Sequence, residues 1–77
     1  MELFVVTQEG VYRHAIVGIF TDVSDAMNAA KKSIQAEPDD HHSYDVSRCL
    51  SGGLISDVEP VATVIREKGV VSIRRRI

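Results

Sequence analysis

Seventy-seven residues leave room for one domain and no more, spanning residues 1–77. An apolar share of 44% and a charged share of 26% are ordinary for a globular chain, and a net charge of −2 supplies no global attraction to nucleic acid or membrane. No apolar run approaches the ~20 residues that span a bilayer, and the opening Met1-Glu2-Leu3-Phe4-Val5-Val6 lacks the basic start and cleavage site of a signal peptide.

Leu3 to Thr7 is an apolar, β-branched run and reads as a buried strand. Gln8-Glu9-Gly10 supplies turn chemistry, after which Val11 to Phe20 reads as a second strand that pairs back as an antiparallel hairpin. Val11, Ile16, Val17, Ile19 and Phe20 are its residues available to a core, and Gly18 would let a helix or another chain approach closely. Thr21-Asp22 ends the strand and starts a helix at about Asp22 to Ala36, with the Thr21 hydroxyl as cap and Asp22 and Asp25 opposing the dipole. Val23, Ala26, Met27, Ala30 and Ile34 recur at helical spacing as its apolar face, and Pro38 closes it.

A polar loop follows from Pro38 to Ser43. Between Tyr44 and Leu50 the residues Tyr44, Val46, Arg48 and Leu50 alternate with Asp45, Ser47 and Cys49, the period of a strand with Arg48 as odd member of an apolar face. Ser51-Gly52-Gly53 breaks the chain, with a short extra piece conceivable at Leu54-Ile55. Pro60 then enters a strand from Val61 to Arg66, Glu67-Lys68-Gly69 turns, and Val70 to Arg76 returns as the last strand. The order β-β-α-β-β-β implies an α+β fold, an antiparallel four- to five-stranded sheet with one helix packed on one face. In the last hairpin Ala62 and Val64 oppose Val61 and Ile65, so both faces read as apolar. Val64 and Val71 are accordingly expected on exposed surface that a second copy covers in a homodimer.

Side chains that carry chemistry are few. Asp39-Asp40-His41-His42, with Asp45 nearby, could ligate a metal, but adjacent loop histidines point apart and no further ligand recurs at helical-site spacing; a solvated loop is the expectation. Cys49 is the single cysteine, so no intramolecular disulfide is possible, which fits a reducing cytoplasm; its expected role is packing. His14, at the start of the second strand, is expected to be a polar edge residue. Ser51-Gly52-Gly53 is too short for a phosphate loop and no Lys-Ser/Thr follows it. No catalytic, metal or cofactor-binding residue is therefore assigned, and no cofactor is expected.

Charge is unevenly spread. Glu37 to Asp45 carries four acids and no base, whereas Arg66 to Ile77 carries five bases and one acid. Arg66, Lys68, Arg74, Arg75 and Arg76 form the basic cluster; on a strand Arg74 and Arg76 share one face and Arg75 takes the other. Such a cluster suits an acidic protein patch or phosphates, or guards a sheet edge against aggregation.

Phe4-Val5-Val6-Thr7, then His14-Ala15-Ile16-Val17-Gly18-Ile19-Phe20-Thr21-Asp22, then Ala26 and Ala30, resemble a group of short α+β domains encoded by bacteriophages and some bacteria. The shared pattern is a Tyr-Val-Val strand, a polar turn, a His-x-x-Val-Gly-Val-Phe-Ser-Asp strand and an Ala-rich helix; Phe4 and Thr21 depart from it conservatively, and the likeness covers the first half. The resemblance implies a phage accessory protein that binds a host protein in the host cytoplasm. Together with the residues it yields one leading expectation: a non-catalytic protein–protein interaction module that modulates or inhibits a bacterial host protein, such as a defence component. The alternative is a nucleic-acid-associated protein using Arg66, Lys68 and Arg74 to Arg76.

Overall fold

The computed structural model describes residues 2–10, 14–38, 42–50 and 58–75. Five strands and one helix follow in chain order: β1 (Glu2–Glu9), β2 (His14–Phe20), α1 (Val23–Gln35), β3 (Ser43–Leu50), β4 (Glu59–Glu67) and β5 (Val70–Arg75). All pair antiparallel in one sheet of order β2-β1-β3-β4-β5, with α1 across one face, so the α+β architecture expected from the sequence is the one observed. Val11, the Asp39 to His41 loop, Ser51-Gly52-Gly53, Leu54-Ile55 and Arg76 lie outside the described residues.

Because β2 and β3 both run antiparallel to β1, they are parallel to each other and cannot be joined by a tight turn. The crossover is α1. Its start differs from expectation: Asp22, not Thr21, is the N-cap, with an extended backbone (φ −127°, ψ 130°) and a side-chain Oδ1 that accepts from the Ser24 N–H at 2.7 Å. Aspartate wins because its carboxylate both accepts the bond and complements the positive end of the helix dipole. At the other end the Ile34 carbonyl accepts from the Glu37 N–H at 3.2 Å and from Arg66 Nη1 at 2.8 Å.

The core lies between α1 and the sheet. Ala26, Met27, Ala30 and Ile34 point down; Phe4, Val6, Tyr44, Val46, Val61, Ala62 and Val64 point up, with Phe20, Val71 and Ile73 packed at the margins. Val23, expected on the buried face, is 38% exposed. It belongs to the first turn, where α1 has not yet closed down on the sheet.

Two irregularities decide which side chains reach that core. In β1–β2, Val6 pairs Gly18 but Thr7 pairs Ile16, so Val17 is an extra residue on β2. In β3–β4, Val46 pairs Ala62 but Ser47 pairs Pro60, so Val61 is extra on β4 and joins Ala62 beneath the helix. The β4–β5 hairpin closes through Lys68 (φ 52°) and Gly69 (φ 80°), the pair of positive φ values that matches strand twist in a two-residue turn. At Gly18 an added Cβ would stand 2.9 Å from the Phe20 ring, so the close approach there is made by that ring.

Candidate interaction surfaces

With α1 on one side, register fixes what the other side presents. The row Ile16–Thr7–Asp45–Thr63–Arg74 crosses the open face from β2 to β5, and the row Ile19–Val5–Ser47–Pro60 runs beside it, with Leu3–Cys49 beyond. The face is therefore divided. Its β2–β1 part is apolar, with Ile16 69%, Ile19 59% and Val17 42% exposed beside half-buried Leu3 and Val5. Its β3–β5 part is mixed, with Ile65 and Val70 among Asp45, Ser72 and Arg74, and there Thr63 Oγ1 donates to Asp45 Oδ1 at 2.9 Å.

This corrects two expectations. Ile16, Val17 and Ile19, counted among residues available to the core, are on the surface, and of the described members of that set only Phe20 packs inward. Conversely Val64 is fully buried under α1 and Val71 is packed against the core, so neither belongs to an exposed patch. The reason is the bulge at Val61: Val61 turns inward beside Ala62 and Val64, and the open side of the last hairpin is left with Ile65 and Val70 among Thr63, Ser72 and Arg74.

The basic cluster does not stay together. Arg66 is part-buried and committed to the Ile34 carbonyl, where a cation complements the negative end of the helix dipole. Lys68 is exposed at the hairpin turn. Arg74 pairs Thr63 and so lies on the open face, while Arg75 pairs Ala62 on the helix face.

Arg75 lines a half-open groove of about 430 Å³ between α1 and the β4–β5 hairpin. Its walls are Val23, Ser24, Met27, Asn28 and Lys31 of α1; Val61 and Ala62 form the floor, and Arg75 the far rim. Among the described residues no carboxylate lines it, although the chain as a whole is acidic. Neither Lys31 nor Arg75 has an ion-pair partner among the described residues.

Two polar clusters bear on the remaining expectations. Arg48, the odd member of its face, sits between Glu59, to which its Nη2 donates, and Glu2 Oε1, 3.5 Å from Nη1. The Glu59 bond and charge hold the guanidinium pKa above its ordinary value. Cys49, beside it in sequence, is half-buried on the opposite face. The second cluster was invisible in the sequence: the buried Tyr44 hydroxyl donates to Glu37 Oε1, and Gln8 Nε2 donates to the same oxygen at 2.6 Å and to the Tyr44 oxygen at 3.2 Å. His42 Nδ1 lies 3.5 Å from Glu37 Oε2. These residues are separated by up to 36 positions and meet only because β1, β3 and the α1 exit converge.

Burial, then the bond to Glu37 and its negative charge, push the Tyr44 phenol up to about 12 from 10. A phenol whose pKa is raised by folding contributes its full stability below pH 10, and that contribution is lost as pH rises through about 12. The unfolding free energy of the wild type minus that of Tyr44→Phe should thus be constant from pH 7 to 9. It should then fall by about 2–3 kcal/mol toward pH 12, as roughly two pKa units imply. Urea melts in a pH series measure it, and a flat difference would reject the cluster's geometry.

Among the described residues no three His, Cys, Asp or Glu side chains gather to hold a metal ion, and no helix is long and apolar enough to cross a membrane. Compared with protein-family models, curated proteins and solved structures, the chain matches none.

Proposed function

We propose that the chain is a small non-catalytic protein–protein interaction module whose partner surface is the apolar quarter of the open sheet face. The observation that carries the reading is the exposure of Ile16, Val17 and Ile19 on one edge strand that has no charged residue from Ala15 to Phe20. Edge strands are ordinarily guarded by charges, as β5 is by Arg74 and Arg75, and an unguarded apolar edge invites another polypeptide. The first-half resemblance to short phage-encoded domains makes a bacterial cytoplasmic protein the partner class to test, with modulation or inhibition as the consequence. A nucleic-acid role draws less support, because Arg66 is committed to the helix end and Arg74 and Arg75 face opposite ways.

The test is comparative capture from bacterial lysate. Wild-type protein should retain a partner in near-stoichiometric amount, and Ile16→Lys/Ile19→Lys should lose it while keeping the wild-type circular dichroism spectrum. Identical retained sets for both proteins would refute the reading.

A further inference from the structure

The groove on the helix side supports a second binding role, independent of the open face. We infer that the α1/β4–β5 groove receives an extended acidic peptide segment, with apolar side chains on the Met27, Val61 and Ala62 floor and carboxylates on Lys31 and Arg75.

Charge complementarity selects this occupant. In a chain of net charge −2, eight of the described residues line the groove, two of them cationic and none anionic. The cations stand on opposite walls, Lys31 on the helix and Arg75 on the edge strand, and both lack a carboxylate partner among the described residues. Between them the floor is apolar. A ligand must therefore offer apolar groups flanked by anions, the pattern of an acidic peptide with one or two aliphatic residues.

A nucleic acid fits less well. Among the described residues no aromatic side chain lines the groove to stack a base, and Arg74, the base that precedes Arg75, is on the other side of the sheet. The groove's volume of about 430 Å³ is that of a site for a few side chains, within the ordinary range for ligand pockets. Asn28, at its wall, can donate to and accept from a peptide backbone.

Fluorescence anisotropy with a labelled hexapeptide Glu-Asp-Leu-Ile-Asp-Glu tests the assignment on the full chain. Two control peptides are Glu-Asp-Ser-Gly-Asp-Glu, which lacks the apolar pair, and Lys-Lys-Leu-Ile-Lys-Lys. The acidic apolar peptide should bind, and Arg75→Glu or Lys31→Glu should weaken it at least about tenfold, because the reversal sets like charges against each other. Arg74→Glu makes the same charge change one residue away on the opposite face and should leave affinity within about twofold, since only long-range screening differs. Ile16→Lys/Ile19→Lys should also leave it unchanged, so failure here and failure of the open-face reading are separable. Equal losses in Arg74→Glu and Arg75→Glu, equal binding of the Ser-Gly peptide, or no binding up to about 1 mM, a free energy of only ~4 kcal/mol, would overturn the inference. Displacement of the peptide by a single-stranded oligonucleotide, with affinity falling steeply in salt, would overturn it in favour of a nucleic acid.

Discussion

Ala30→Asp should unfold the domain at room temperature or lower its Tm by about 15–30 °C, whereas Lys31→Asp, one residue along, should shift it by only a few degrees. Ala30 has no exposed surface and stands where α1 meets the sheet. An aspartate there must either place a charge against Val6, Val46 and Val64 or lift the helix off them. Either outcome costs several kcal/mol, comparable with the whole stability of a small domain. Lys31 is half-exposed at the groove, so its replacement loses some helix propensity and little packing. Thermal melts of both variants suffice, and equal losses would mean that the helix face is assigned wrongly.

That contrast was legible in the sequence, because past its first turn, where Val23 stays exposed, α1 obeys one period. Ala26, Met27, Ala30 and Ile34 repeat at three and four residues, and all four are buried. The alternation of Tyr44, Val46 and Arg48 in β3 was equally readable, since no irregularity falls inside that run on β3 itself. What failed did so at the bulges. Ile16 and Ile19 are three apart, an interval that sends side chains to opposite faces of a regular strand, yet both share the open face because Val17 is inserted between them. Val61 likewise breaks the alternation of β4 and brings itself, Ala62 and Val64 to one side. Each extra residue has a strand-irregularity signal beside it, Gly18 after Val17 and Pro60 before Val61, but such a residue also fits a close approach or a strand entry, the reading each invites. The Gln8–Glu37–Tyr44 cluster was hidden for another reason: its members are ordinary polar residues until the fold places them together.

The displaced apolar surface leads to the last expectation: the protein self-associates weakly through the β2–β1 part of its open face. A twofold interface sets the same patch against itself, and this patch is suited to that because β2 from Ala15 to Phe20 brings no charge to repel its mate, the Glu9 carboxylate lying at the β1 end of the face beside Thr7. The bulge at Val17 favours face-to-face packing over strand-to-strand addition, since it twists the edge and turns Ile16 and Ile19 onto the face together. Burying an Ile side chain fully is worth roughly 1.5–3 kcal/mol. Completing the burial of Ile16 and Ile19, already partly covered, therefore yields about 3 kcal/mol per protomer and roughly double that for the pair. Lost translational and rotational freedom costs at least about 4 kcal/mol and commonly more, so half-buried Val5 and Leu3 must add their share and the dimer can only be weak. Light scattering should accordingly give a monomer mass near about 10 μM, rising toward a dimer by several hundred micromolar, the range set by a binding free energy of about 5–6 kcal/mol. Because symmetry makes each substitution act twice, Ile19→Lys should remain monomeric across that whole range. Its melting temperature at low concentration should match wild type, as expected for a residue that is 59% exposed in one copy. Val70→Lys alters an equally exposed residue at the far β5 edge of the same face and should dimerise like wild type. A wild-type mass that stays monomeric at several hundred micromolar, or a Val70→Lys variant as defective as Ile19→Lys, would remove the second copy as occupant of this surface.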